Sequence, residues 1–141
     1  MNAIRSWSLL RQVLLVDAVC SGVMGLGLVF LAQTLGGLLQ LPATLLREAG
    51  FVLIPFAAFV AWLSLRQHPG RWAVRAVIGL NIVWVADSIF VMFTDRVEPN
   101  ALGYAFIVGQ AAVVGLFAAL EYTGLREQTR HHFGRATPSS P

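Results

Sequence analysis

QVLLVDAVCSGVMGLGLVFL, residues 12–31, carries one charged side chain, Asp17, and no proline. A helix needs about 20 mostly apolar residues to cross the hydrocarbon core of a bilayer, so this stretch suffices by itself. The apolar run extends both ways, from Leu9 to Thr34, and three more follow over Leu46–Leu65, Trp72–Thr94 and Ala101–Tyr122. All four are predicted to be membrane-spanning helices. Hydrocarbon offers backbone groups no water to bond, and a helix satisfies them within the segment. A β-barrel is excluded, because the runs are continuous rather than alternating.

Composition points to the same solvent. Of 141 residues, 57% are hydrophobic and 12% are charged, against about 25% charged in a soluble domain. A water-soluble chain this small exposes much of its surface and could not hide so much apolar area. The fold class expected is all-α: a four-helix transmembrane bundle with both termini cytoplasmic, short loops and a short interfacial segment between spans one and two. Residues 1–126 form the single four-span domain. Residues 127–141 are a polar tail, ending Thr-Pro-Ser-Ser-Pro, expected to be disordered. The first span is expected to be retained, since it is too long for a signal-peptide core, holds Asp17 and lacks a clear A-x-A site. Cys20 is the only cysteine, so no disulfide forms within the chain.

Breaks fall between the spans. Gly36-Gly37 is expected to end the first, and Pro42 to sit in the first turn of the next helix. His68-Pro69-Gly70 separates spans two and three, and Pro99-Asn100 separates three and four. Pro55 falls inside span two, where its missing N–H predicts a kink. The segment Leu35–Leu45 is too apolar for an ordinary loop and reads as a short helix along the outer interface.

All ten basic residues are arginines. Arg5, Arg11, Arg66, Arg71, Arg75, Arg126, Arg130 and Arg135 fall on one side of the predicted threading. Arg47 and Arg96 fall on the other, beside Glu48, Asp95 and Glu98. The positive-inside rule then places both termini in the cytoplasm, with Trp7, Trp62, Trp72 and Tyr122 near that face. There is no basic run with interleaved aromatics, so the net charge of +3 is a topology signal and no nucleic-acid partner is expected.

Small residues recur four apart: Ala18/Gly22, Ser21/Gly25, Ala57/Ala61, Ala105/Gly109 and Ala111/Gly115/Ala119. This spacing lets helix backbones approach closely. Most of it is expected to pack the four helices together. A face on span four is expected to be free for a homodimer or for another membrane protein.

Charged and amide side chains within spans are expensive in lipid and need a reason. Asp17, Asn81, Asp87 and Gln110 are the candidate polar pathway or register network. Arg75 and Glu121 are expected to form an interfacial ion pair, with Arg11 as the other partner open to Glu121. Asp17 is expected to bond Ser21 or Asn81. On one reading these groups bond each other and fix helix register, at about 0.6 kcal/mol per bond. On the other, Asp17 and Asp87 take up and release protons along a path through a dry interior.

No histidine lies in a span, so no haem is held between helices. His131-His132 falls on the tail and reads as solvated. No metalloprotease, hydrolase or phosphate-loop motif is present, so no enzymatic activity, cofactor or metal is expected. Four spans joined by short breaks resemble small bacterial four-span membrane proteins, which implies a multi-pass protein of the bacterial inner membrane. No family motif assigns a site. The leading expectation is a non-enzymatic structural or accessory partner in a membrane assembly. The alternative is a small proton-coupled transporter or channel that uses intramembrane carboxylates.

Overall fold

A computed structural model describes the backbone of residues 3–133 and the side chains of residues 8–130. The described residues form helices α1 (Ala3–Phe30), α2 (Ala32–Leu39), α3 (Ala43–Ser64), α4 (Arg71–Met92) and α5 (Ala101–Phe133), with no strand among them. By length and composition, α1, α3, α4 and α5 are each sufficient to cross a membrane.

The burial pattern is inverted relative to a protein in water. Val23, Phe30, Phe51 and Phe90 are 58–79% exposed, while Asp17 and Glu121 are 0% exposed and Asn81 is 3% exposed. Apolar side chains outside and carboxyl groups inside are stable only where the surroundings are themselves apolar.

Two boundaries differ from the sequence expectation. The first span ends at Phe30, and Gly36-Gly37 lies inside α2. What ends α2 is Gln40, at φ 54° in the left-handed region, where its N–H caps the Gly36 carbonyl. The N–H of Leu41 bonds the same carbonyl at 3.1 Å. A Cβ on Gly36 would stand 2.8 Å from the Leu41 carbonyl oxygen, so this turn needs glycine there. The segment between the first two long helices, expected over Leu35–Leu45, is therefore a helix beginning at Ala32, three residues before Leu35. At the other end of the chain, α5 continues past Glu127 to Phe133, where a disordered tail was expected. Within this stretch Gln128 is buried. The side chains of His131 and His132, and all of residues 134–141, lie outside the described residues. Pro42 precedes the first residue of α3, and Pro55 lies within an unbroken α3.

Side-by-side order follows from the contacts. α1 packs along α3 and α5, and α5 packs along α4, giving the order α3, α1, α5, α4. Each neighbouring pair is antiparallel. Early α1 meets late α3 and late α5 through Arg11–Ser64 and Leu10–Gly124. Asn81–Glu121 and Gln110–Ser88 set α4 against α5 in the same sense. The start of α1 and the end of α5 thus share one end of the molecule, here the terminal end.

Small residues bring α1 and α3 close. A Cβ on Gly50 would lie 2.7 Å from the Gly25 carbonyl oxygen, and one on Gly22 would lie 3.6 Å from the Ala57 Cβ. Small side chains permit this approach in hydrocarbon, where dispersion rather than water exclusion holds helices together.

At the terminal end, Leu10, Leu14, Ala18, Val60, Leu63, Val74, Val77, Ile78, Ala118 and Leu125 form one apolar cluster drawn from all four long helices. The far-end cluster holds Leu28, Ala32, Leu39, Leu41, Leu46, Leu53, Val97 and Ile107; α4 adds only the partly buried Trp84, Val91 and Met92 packed against it. The buried residues of α4 are Val74, Val77, Ile78 and Asn81, all in its first half. α4 makes little contact with α3, and a groove lined by both helices runs along α4 from Leu80 to Val91. The four helices are closed at the terminal end and open between α3 and α4 at the far end.

Candidate functional site: a carboxyl pair at the base of a groove

The carboxyl pair sits where the closed half meets the open half. Asp17 comes from α1, Asn81 from α4 and Glu121 from α5. The Asn81 amide nitrogen donates to Asp17 Oδ2 at 3.1 Å and to Glu121 Oε2 at 3.3 Å. Ser21 Oγ donates to Asp17 Oδ1 at 3.0 Å. Both oxygens of Asp17 are therefore bonded, one of them to each partner considered from sequence. Glu121 differs, because its Oε1 is buried with no hydrogen-bond partner. The charged group beside it is Asp17.

Among the described residues no basic side chain is bonded to this pair. The Arg75–Glu121 ion pair expected from sequence is not formed. Arg75 lies over the Trp72 ring, 5.4 Å from its centroid, and Arg11 donates Nε to the Ser64 carbonyl at 2.9 Å. The reason is rotation about the α5 axis. Glu121 stands on the face of α5 that carries Gln110, eleven residues or three helical turns earlier. That face points inward, whereas the arginine reaches the aromatic rim.

Further from the terminal end, two turns along α4 at Ser88, lies a second polar group. Trp84 Nε1 donates to Gln110 Oε1 at 2.7 Å, and Gln110 Nε2 donates to Ser88 Oγ at 2.8 Å. Ser88 Oγ in turn donates to the Trp84 carbonyl at 2.7 Å. Gln110 thus uses both ends of its amide to tie α5 to α4. Asp87 belongs to neither group. It is exposed and lines the groove between α3 and α4. It follows Asn81 by six residues, about 9 Å along the helix at about 1.5 Å per residue, so Asp17 and Asp87 do not form a pair.

The groove has a volume of about 680 Å³. Its floor reaches Ser21 and Asn81, the two side chains that donate to Asp17. Glu48, which the sequence places at the outer end of the second span beside Arg47, lines it from α3. Nothing in the local sequence of Glu48 signals this, since it depends on how far α4 leans away. Toward the terminal end the apolar cluster closes the path, and the next buried polar side chain on α5 is Gln128, whose amide has no partner. Among the described residues no three His, Cys, Asp or Glu side chains group as metal ligands would.

Set against protein-family models, curated proteins and solved structures, the chain matches none of them.

Proposed function

We propose that the chain is a small proton-coupled membrane carrier in which Asp17, Asn81 and Glu121 form the proton-exchange site. One observation carries this reading: two fully buried carboxyl groups share a single amide donor, and Glu121 Oε1 has none. Two adjacent carboxylates with no cation are strongly disfavoured in apolar surroundings. A proton between them supplies the missing donor and removes one charge. A purely register-fixing network has no need of an unpartnered oxygen, because every group in it could be satisfied.

The shape supports the same reading. Ser21 and Asn81, which donate to Asp17, line the groove, while Asp17 and Glu121 lie buried behind them, with apolar side chains on the terminal side. A carrier needs one side closed while the other is open, and a membrane helix pair that parts at one end gives that arrangement. With eight of ten arginines on the terminal side of the threading, that side is cytoplasmic in this reading, and the membrane is the bacterial inner membrane.

A membrane-permeant carbodiimide, which adds to protonated carboxyl groups, tests the assignment. In lipid, label is expected on Asp17 or Glu121, located by mass spectrometry, and lost in Asp17→Asn and Glu121→Gln respectively. Label confined to Glu48 and Asp87 would contradict it.

A second reading, an accessory protein that seats a neighbouring membrane helix, draws support from α5. Ala105 and Gly109 are exposed there, and a Cβ on Gly109 would meet nothing within 4 Å. A second copy of the chain is the simplest occupant of such a face.

A further inference from the structure

We infer that the groove between α3 and α4 binds an amphiphilic organic cation: one positive charge on a compact, largely apolar body. The inference rests on the carrier reading above and names the class of substrate that would exchange against the proton.

Size comes first. At about 680 Å³, the groove lies within the range of roughly 300–1,000 Å³ that accommodates drug-sized molecules. Its lining is overwhelmingly aliphatic and aromatic, with Phe56 and Phe59 on α3, Trp84 on α4 and Phe106 on α5. An ordinary lipid tail would satisfy those walls equally well. Charge separates the two occupants. Glu48 and Asp87 line the groove from its opposite walls, and no Arg, Lys or His lines it. Both carboxyl groups are exposed toward it. Two carboxyl groups on the walls of an apolar groove repel an anion, gain nothing from a neutral tail and attract a cation strongly where the dielectric is low. Aromatic faces at the same site add attraction for a positive charge.

Position ties the groove to the exchange site. Asp87 stands near the far end of α4, and Asn81 at the floor stands six residues deeper. A cation entering past Glu48 and Asp87 therefore moves toward Asn81, whose amide bridges the two buried carboxyl groups. A positive charge at the floor and a proton between Asp17 and Glu121 would stabilise the same negative site, so each weakens the other. Exchange of one for the other needs no further reactant.

Equilibrium dialysis of the purified full-length protein in detergent micelles tests this, against protein-free micelles. Tetraphenylphosphonium and tetraphenylborate are the probes, since they share size and shape and differ in the sign of charge. Saturable binding of the phosphonium above the micelle background is expected, with the borate at background. Glu48→Gln with Asp87→Asn should weaken phosphonium binding at least about tenfold. Ala49→Trp, which fills the groove, should weaken it as well. Equal binding of the two probes, no binding above background, or unchanged binding in the double variant would each overturn the inference. A background result is also what a groove occupied by lipid or by a second copy would give. The wild-type chain, measured for both binding and flux, separates the two readings. Phosphonium binding with no proton flux in vesicles leaves the groove assignment standing and removes the exchange site. Flux without binding removes the groove assignment alone.

Discussion

Asp17 on α1 and Glu121 on α5 accept hydrogen bonds from the same nitrogen of Asn81, at 3.1 and 3.3 Å. Three helices are joined through that nitrogen. The bridge also fixes depth, because it sets α1, α4 and α5 in register at the level where the groove ends.

Removing the bridge should be felt at once. Asn81→Leu leaves Glu121 with no donor and Asp17 with Ser21 alone. An unsatisfied buried polar group costs about 1–3 kcal/mol, so a clear drop in thermal unfolding temperature in micelles is expected. Asp87→Asn, at an exposed position, should stay within about 0.5 kcal/mol of the parent. Equal stability of all three proteins would show that the bridge is not made.

Close helix approach gives a second prediction. Gly50→Ala places a methyl group 2.7 Å from the Gly25 carbonyl oxygen, so α1 and α3 must separate. Overpacking of this kind costs about 1–3 kcal/mol. Gly79→Ala and Gly109→Ala meet nothing within 4 Å and should be neutral or slightly stabilising, because alanine suits a helix interior better. Circular dichroism melts of the three variants in one detergent make the comparison.

Gln110→Leu tests the second polar group. It removes the acceptor of Trp84 Nε1 and the donor to Ser88. Bonds between membrane helices average about 0.6 kcal/mol each, so the expected loss is about 1 kcal/mol. Trp84 fluorescence in a variant lacking the other tryptophans should shift as its indole N–H loses its partner. An unchanged spectrum would place Trp84 elsewhere.

How much of this was legible in the sequence depends on which physics each feature needed. The four long helices were, because span length and the lack of charge are properties of single segments. Asp17, Asn81 and Gln110 were singled out as polar groups that lipid would not tolerate unpartnered. Which groups meet was less legible. Arginine placement suggested Arg75 for Glu121, but the pairing is decided by rotation about the α5 axis, and a helix apolar on most sides carries little rotational signal. Residues on α5 beyond Glu127 read as polar and therefore loose, yet Gln128 packs inward. The groove was invisible, because it arises from the divergence of α3 and α4 after Asn81, a relation between two elements with no local motif.

Sealed proteoliposomes holding a pH-sensitive dye, with the membrane potential clamped, test the exchange site most directly. A pH step in the presence of external tetraphenylphosphonium should be dissipated faster by the wild-type chain than by empty vesicles. Asp17→Asn and Glu121→Gln, reconstituted at equal amounts and folded by circular dichroism, should fall to the empty-vesicle rate. A wild-type rate no faster than that of empty vesicles, or flux undiminished in both folded variants, would contradict the account.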